Sequence, residues 1–156
     1  MRFAIVLFAC LLTAPSSAAV DQADPLVKKH LDSLKLKYEI DKDNDFMVVM
    51  DVGGGRTQLA YIRSSTETYG ANRVREIWSP GYKSETDELP RNVANRLLDY
   101  SNHVKMGGWV KQKRVAVFVV KLSSNASAAE LKDAIDAAVN SADEIELEYT
   151  GKKDEF

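Results

Sequence analysis

Asp41-Lys42-Asp43-Asn44-Asp45 places carboxylates at the first, third and fifth positions of a calcium-loop pattern. That pattern also needs glycine at its sixth position and glutamate at its twelfth, and here those are Phe46 and Val52. The segment therefore reads as a solvated turn. Gly53-Gly54-Gly55-Arg56 has the glycines to cradle a phosphate on backbone N–H groups. A phosphate loop, however, leads into a helix and carries Lys-Ser/Thr, whereas Thr57 to Arg63 has the pattern of a strand. A hairpin turn is the better reading.

His30 and His103 are the 2 histidines, each on a predicted helix beside lysines, and are read as surface or half-buried side chains. No serine or cysteine nucleophile stands in a G-x-S-x-G context. The sequence thus assigns no catalytic residue, no metal site and no cofactor. An envelope hydrolase using Asp41, Asp43 and Asp45 is the weaker alternative. The candidate binding residues are Trp78, Tyr82 and Trp109, set beside Pro80-Gly81 and Gly107-Gly108. Trp and Tyr dominate interface energetics, and they also fill cores, so both readings stand. The runs Lys111-Gln112-Lys113-Arg114 and Asp143-Glu144-Ile145-Glu146 read as solvated turn and helix faces. Asn125-Ala126-Ser127 matches a glycosylation pattern that matters only in a eukaryotic secretory pathway. Lys153-Asp154-Glu155-Phe156 reads as a charged helix end.

These residues must be positioned by a chain of 156 residues, enough for one domain. Hydrophobic residues make up 45%, so a core can form. Lys plus Arg number 21 against 23 Asp plus Glu, which removes the cationic surplus that nucleic-acid binding needs. Asp24-Pro25 opens a helix that should end near Lys35, with Leu26, Val27, Leu31 and Leu34 on one face. A strand over 37–41 comes next. Phe46 to Val52 reads as a strand apolar on both faces, and Thr57 to Arg63 returns beside it. Ser64 to Ala71 is expected to be a polar loop, and Arg73 to Ser79 a strand ending before Pro80. A second helix restarts at Leu89-Pro90 and stops at Gly107-Gly108. Trp109 to Lys111 and Val115 to Leu122 form another hairpin, whose second strand is apolar on both faces and belongs inside the sheet. Ser127-Ala128-Ala129-Glu130 is a capping box opening a last helix that ends near Gly151.

The fold class is α+β: an antiparallel sheet of five to six strands with three helices, in the order α-β-β-β(-β)-α-β-β-α. Three helices cannot cover both faces of such a sheet. The second apolar face is therefore expected to meet a symmetric partner copy or a bound peptide.

The first residues read as an address. Met1-Arg2 precede an apolar run, Phe3 to Ala14, which Pro15-Ser16-Ser17 break, and Ser17-Ala18-Ala19 fits signal-peptidase cleavage after Ala19. The run is shorter than the roughly 20 residues that span a membrane. Residues 1–19 are thus a signal peptide and 20–156 the single domain, expected in the periplasm or secreted. Cleavage would remove Cys10, the one cysteine, which suits an oxidising compartment. Lipidation at Cys10 is the weaker alternative, since bulky Phe8 fits that cleavage box poorly.

Gly55-Arg56-Thr57-Gln58-Leu59-Ala60-Tyr61, the helix from Asn92 to Val104 followed by Gly108-Trp109, and Ala142-Asp143-Glu144-Ile145-Glu146 together resemble the YbjN family, described as bacterial sensory transduction regulators. The resemblance runs from about Lys28 to Phe156. It implies a fold like that of type III secretion chaperones, which often pair as dimers, and it supplies no catalytic residue. The expected function is a non-enzymatic protein-interaction module, chaperone-like or regulatory, with a protein or peptide partner. A structural envelope-stress protein is the alternative. Mass analysis of the processed chain from cells is expected to find Val20 as its first residue. A chain retaining Met1, or starting at a lipidated Cys10, would overturn that assignment.

Overall fold

A computed structural model describes residues 22–151 and 153–156. Residues 1–19, read from the sequence as a signal peptide, lie outside the described residues, and Cys10 with them. The elements are α1 (Pro25–Ser33), β1 (Glu39–Ile40), β2 (Phe46–Gly53), β3 (Arg56–Tyr69), β4 (Asn72–Lys83), α2 (Arg91–His103), β5 (Gly108–Gln112), β6 (Val115–Ser123) and α3 (Ala128–Thr150). All strands are antiparallel, in the spatial order β1-β2-β3-β4-β6-β5. The α+β class and the order of elements are as the sequence predicts.

All three helices pack on the same side of the sheet. Alternation along each strand sends Phe46 and Val48, Ala60 and Ile62, Ile77, and Phe118 and Val120 to that side. There they meet Val27 and Leu31 of α1 and Leu131, Ala134, Ile135, Ala138 and Val139 of α3. Val93 and Leu97 of α2 join Ala116 and Ile145 in a second cluster at the β5 end. The capping box of α3 is formed as expected: Ser127 Oγ accepts from the Glu130 N–H, and Glu130 accepts from the Ser127 N–H.

Two strands run further than their sequences predict. Ser64 to Tyr69 is no loop: Thr66 to Tyr69 pair with Asn72 to Arg75 as an extension of the β3–β4 hairpin, turned by Gly70-Ala71. Its residues are polar because both sides of this arm face water, which removes the apolar alternation that marks a strand. Likewise β4 does not stop at Pro80 but continues to Lys83 through a bulge between Pro80 and Tyr82. Proline has no N–H for a ladder. Here the β3–β4 ladder ends at Tyr61–Trp78, and side chains take over. Gln58 Nε2 donates to Pro80 O (2.6 Å) and Ser79 Oγ (3.2 Å), while Ser79 Oγ donates to Leu59 O (2.7 Å). Gly81 lets β4 lie against α3, because a Cβ there would stand 2.6 Å from Trp109 Cη2 and 2.8 Å from Ala142 O.

The strongest constraint is a second bulge. Between Ile62–Ile77 and Thr66–Arg75, β3 carries two more residues than β4. The carbonyls of Arg63 and Ser64 are thereby freed from the ladder, and both accept from Nη1 of Arg75, which is 3% exposed. Nη2 of Arg75 pairs with Asp24 Oδ2 at 2.6 Å. Asp24 also caps α1 through Oδ1, which accepts from the N–H groups of Leu26 (2.8 Å) and Val27 (3.2 Å). Ser64 closes the cluster: its N–H donates to Asp45 Oδ1 (2.7 Å) and its hydroxyl to Asn44 O (2.5 Å).

Burial alone would raise the Asp24 carboxyl, but the Arg75 hydrogen bond and charge, with the two backbone donors, hold it below its ordinary value of 3.8. A depressed carboxyl stabilises the fold above that ordinary value, and the contribution is lost as the pH falls through the lower folded value. Removing one partner of a buried pair leaves the other uncompensated. Arg75→Ala is expected to cost about 3 kcal/mol in urea unfolding, and to flatten the loss of stability below pH ~4. A variant within ~0.5 kcal/mol of the parent would contradict this role.

Candidate functional site

Trp78, Tyr82 and Trp109 do not converge. Trp109 faces the helices, meeting Phe118 edge-to-face at 5.4 Å and Tyr100 at 6.2 Å. Its indole Nε1 is buried without a hydrogen-bond partner. Tyr82 also turns inward and meets Tyr149 of α3 at 5.2 Å. Trp78 alone projects to the other side. Its neighbour Ile77 pairs with core residues Ile62 and Val120, whereas Trp78 pairs with Tyr61 and Val119. It sits in the middle of β4 rather than beside a strand-ending turn, as its sequence context had suggested.

This other side of the sheet is the candidate binding surface. Met47 and Val49 of β2, Leu59 and Tyr61 of β3, Trp78 and Pro80 of β4, Val117 and Val119 of β6 and Val110 of β5 share it by register. Among the described residues no helix lies across it, since each helix packs on the opposite side. Val117 and Val119 are sunk between their cross-strand neighbours on β4 and β5. Val49, 63% exposed, and Val110, 38% exposed, stand clear of the sheet. A contiguous apolar surface of this kind marks an interaction site more often than a chance exposure does. The two-sided apolar pattern of β2 and β6 was its signal in the sequence.

Trp78 is held in place at this surface. Its Nε1 donates to Glu76 Oε2 at 2.8 Å, and Glu76 pairs with Lys121 at 3.1 Å. The Arg63 guanidinium lies over the indole, 4.7 Å from the ring centre. Arg63 Nη1 is 2.8 Å from Asp45 Oδ2, an ion pair by distance whose alignment falls short of a hydrogen bond. Asp45 is buried, and its burial raises the carboxyl above the ordinary value against the pull of the Ser64 N–H and the Arg63 charge. Through Asp45 the Arg75 cluster on one side of the sheet thus reaches the indole on the other. The sequence placed neither Arg63 nor Asp45 at this surface, because the bulge that brings them there has no local signature.

The remaining motifs are occupied by structure. Asp41 Oδ1 accepts from the N–H groups of Asp43 (2.9 Å) and Asp45 (3.0 Å), so the aspartate turn is tied by its own backbone. Gly53, Gly54 and Gly55 have φ of 90°, 64° and 77° and form the β2–β3 hairpin turn. His30 Nε2 lies 3.1 Å from Ala126 O, and His103 is exposed at the end of α2. Among the described residues no three His, Cys, Asp or Glu side chains form a metal-holding group. One expectation is corrected. In the Asp143 to Glu146 run only Glu144 is exposed, and it accepts from the Tyr100 hydroxyl at 2.7 Å, while Glu146 is 0% exposed and both Asp143 and Glu146 pair with Arg56. No helix of the described residues is long and apolar enough to cross a membrane.

The two tryptophans should therefore respond differently to truncation. Trp109→Ala opens a cavity among Phe118, Tyr100 and Gly81 and is expected to cost about 3 kcal/mol or more in chemical unfolding. Trp78→Ala loses a half-buried ring, its hydrogen bond to Glu76 and one cation–π contact, for about 2 kcal/mol, and the chain stays folded. Equal losses would show that the Trp78 face is covered. No protein-family model matches the chain, and no curated protein matches it.

Proposed function

We propose that this chain is an exported, non-enzymatic protein-interaction module that binds a partner protein through the helix-free face of its sheet. The observation that carries this reading is the one-sided placement of the helices, which leaves Met47, Val49, Leu59, Tyr61 and Trp78 on an apolar surface without a described cover. The short apolar run ahead of Ser17-Ala18-Ala19 supports export. The YbjN resemblance supports a chaperone-like or regulatory role. Chemically the face suits an extended apolar segment: Trp78 offers a rigid ring held at its edge by Glu76 and at its face by Arg63, so little entropy is lost when a partner packs on it.

The test is photo-crosslinking in intact cells, with the probe at Val49 or Val110 and a control probe at Leu98, which is 66% exposed on α2. The expected result is one recurrent envelope protein captured from both sheet positions, not from Leu98, and lost when Leu59→Lys is added. Crosslinks to the same chain alone would mean that the face closes a homodimer, and would overturn the partner-binding reading.

A further inference from the structure

Residues 153–156, the charged helix end of the sequence reading, lie beyond α3, which ends at Gly151 as that reading has it. Beyond Gly151 the chain folds back and lies against the start of β3. There the Asp154 carboxylate accepts two hydrogen bonds and faces a guanidinium at ion-pair distance. The N–H of Thr57 (3.2 Å) and its hydroxyl (3.1 Å) both donate to Oδ2, and Arg56 Nη2 stands 3.7 Å from Oδ1. The next N–H, of Glu155, donates to Oε1 of the buried Glu146. The Glu155 carboxylate approaches Lys83 at 4.0 Å. The carbonyl of Lys153 accepts from Arg56 Nη1 (3.3 Å) and Thr150 Oγ1 (2.7 Å).

This is how a protein reads a bound peptide: a side-chain carboxylate held by N–H and hydroxyl donors beside a guanidinium, and a main-chain N–H held by a buried acceptor. The receiving groups are fixed independently of the strap. Arg56 is braced by Asp143 at 2.7 Å and Glu146 at 3.0 Å, and Thr57 begins a strand paired to β2. The strap itself is exposed over 153–155 and only half-buried at Phe156, so polar contacts hold it. A small free anion does not fit the same place. It would bring no N–H for Glu146. The occupant must carry both a carboxylate and main-chain donors.

We propose that the cleft between the start of β3 and the last turns of α3 is a binding site for an acidic peptide segment, that residues 153–156 are its cis occupant, and that an exposed Asp-Glu segment of another protein displaces them. The tether gives the cis strap an effective concentration in the millimolar range, so it shields the site until a competitor is abundant or is itself tethered. The site lies at the end of α3, away from Trp78, and does not rest on the function proposed above.

The probe is a fluorescein-labelled, C-terminally amidated Lys-Asp-Glu-Phe peptide, followed by anisotropy against the full-length chain. Asp154→Asn weakens the cis occupant and is expected to raise the affinity for the peptide at least tenfold over the parent chain. A second full-length variant, with 153–156 replaced by Gly-Ser-Gly-Ser, is expected to bind at least as tightly. A probe with Asn in place of its Asp is expected to bind at least tenfold more weakly to both. Equal affinity of parent and Gly-Ser variant, no saturable binding to that variant while its circular dichroism is unchanged, or tolerance of Asn in the probe would each overturn the proposal.

Discussion

A single guanidinium inside the fold holds its parts in register. The extra residues of β3 turn two carbonyls out of the ladder, and an unpaired buried carbonyl costs roughly as much as a lost hydrogen bond. Arg75 satisfies both, and its charge is then neutralised by the residue that caps α1. One side chain thus joins the hairpin arm, the first helix and, through Ser64 and Asp45, the entry to β2. The same bulge sets Arg63 over Trp78 on the far side. Core and surface are coupled there by one chain of polar contacts, so the indole at the candidate surface inherits the rigidity of the cluster beneath it.

The other organising fact is asymmetry. Three helices on one side complete a core around Phe46, Phe118 and Ile135. The opposite side keeps the same kinds of side chain without such a cover. A soluble chain rarely leaves β-branched and aromatic residues together in this way unless another surface meets them. At the end of α3 the pattern reverses: a polar cleft is filled by the chain's own residues. One surface is apolar and uncovered among the described residues, the other polar and occupied, and recognition at the two would obey different chemistry, with salt affecting the second far more than the first.

The sequence is most legible where one force acts alone. Asp24-Pro25, the Ser127–Glu130 box and the stripe of α3 follow from local capping and periodicity, and the structure holds them as read. The two-faced apolar patterns of β2 and β6 foretold a second apolar face before any helix was placed. Misreadings arise where distant partners override local rules. Pro80 reads as a strand end, yet the Ser79 hydroxyl donates to Leu59 O in place of the missing N–H, and Gln58 donates to the Pro80 carbonyl. Thr66 to Tyr69 read as part of a loop because polar residues on an arm wet on both sides erase the period of two. Glu146 reads as solvated because its partners, Arg56 and the N–H of Glu155, are remote from it or lie beyond the helix. The three aromatics were grouped by their proximity to glycines and proline, and register separates them to opposite sides of the sheet.

The Asp24–Arg75 pair also bears on the order of events during folding. α1 has 9 residues, too few to persist alone in water. Its capping carboxylate is bound to a guanidinium 51 residues further along the chain. Among the described elements α1 comes first, and the partner of its cap belongs to the β3–β4 arm, so the helix and the arm stabilise each other. The first described helix is therefore stabilised by residues that are synthesised later.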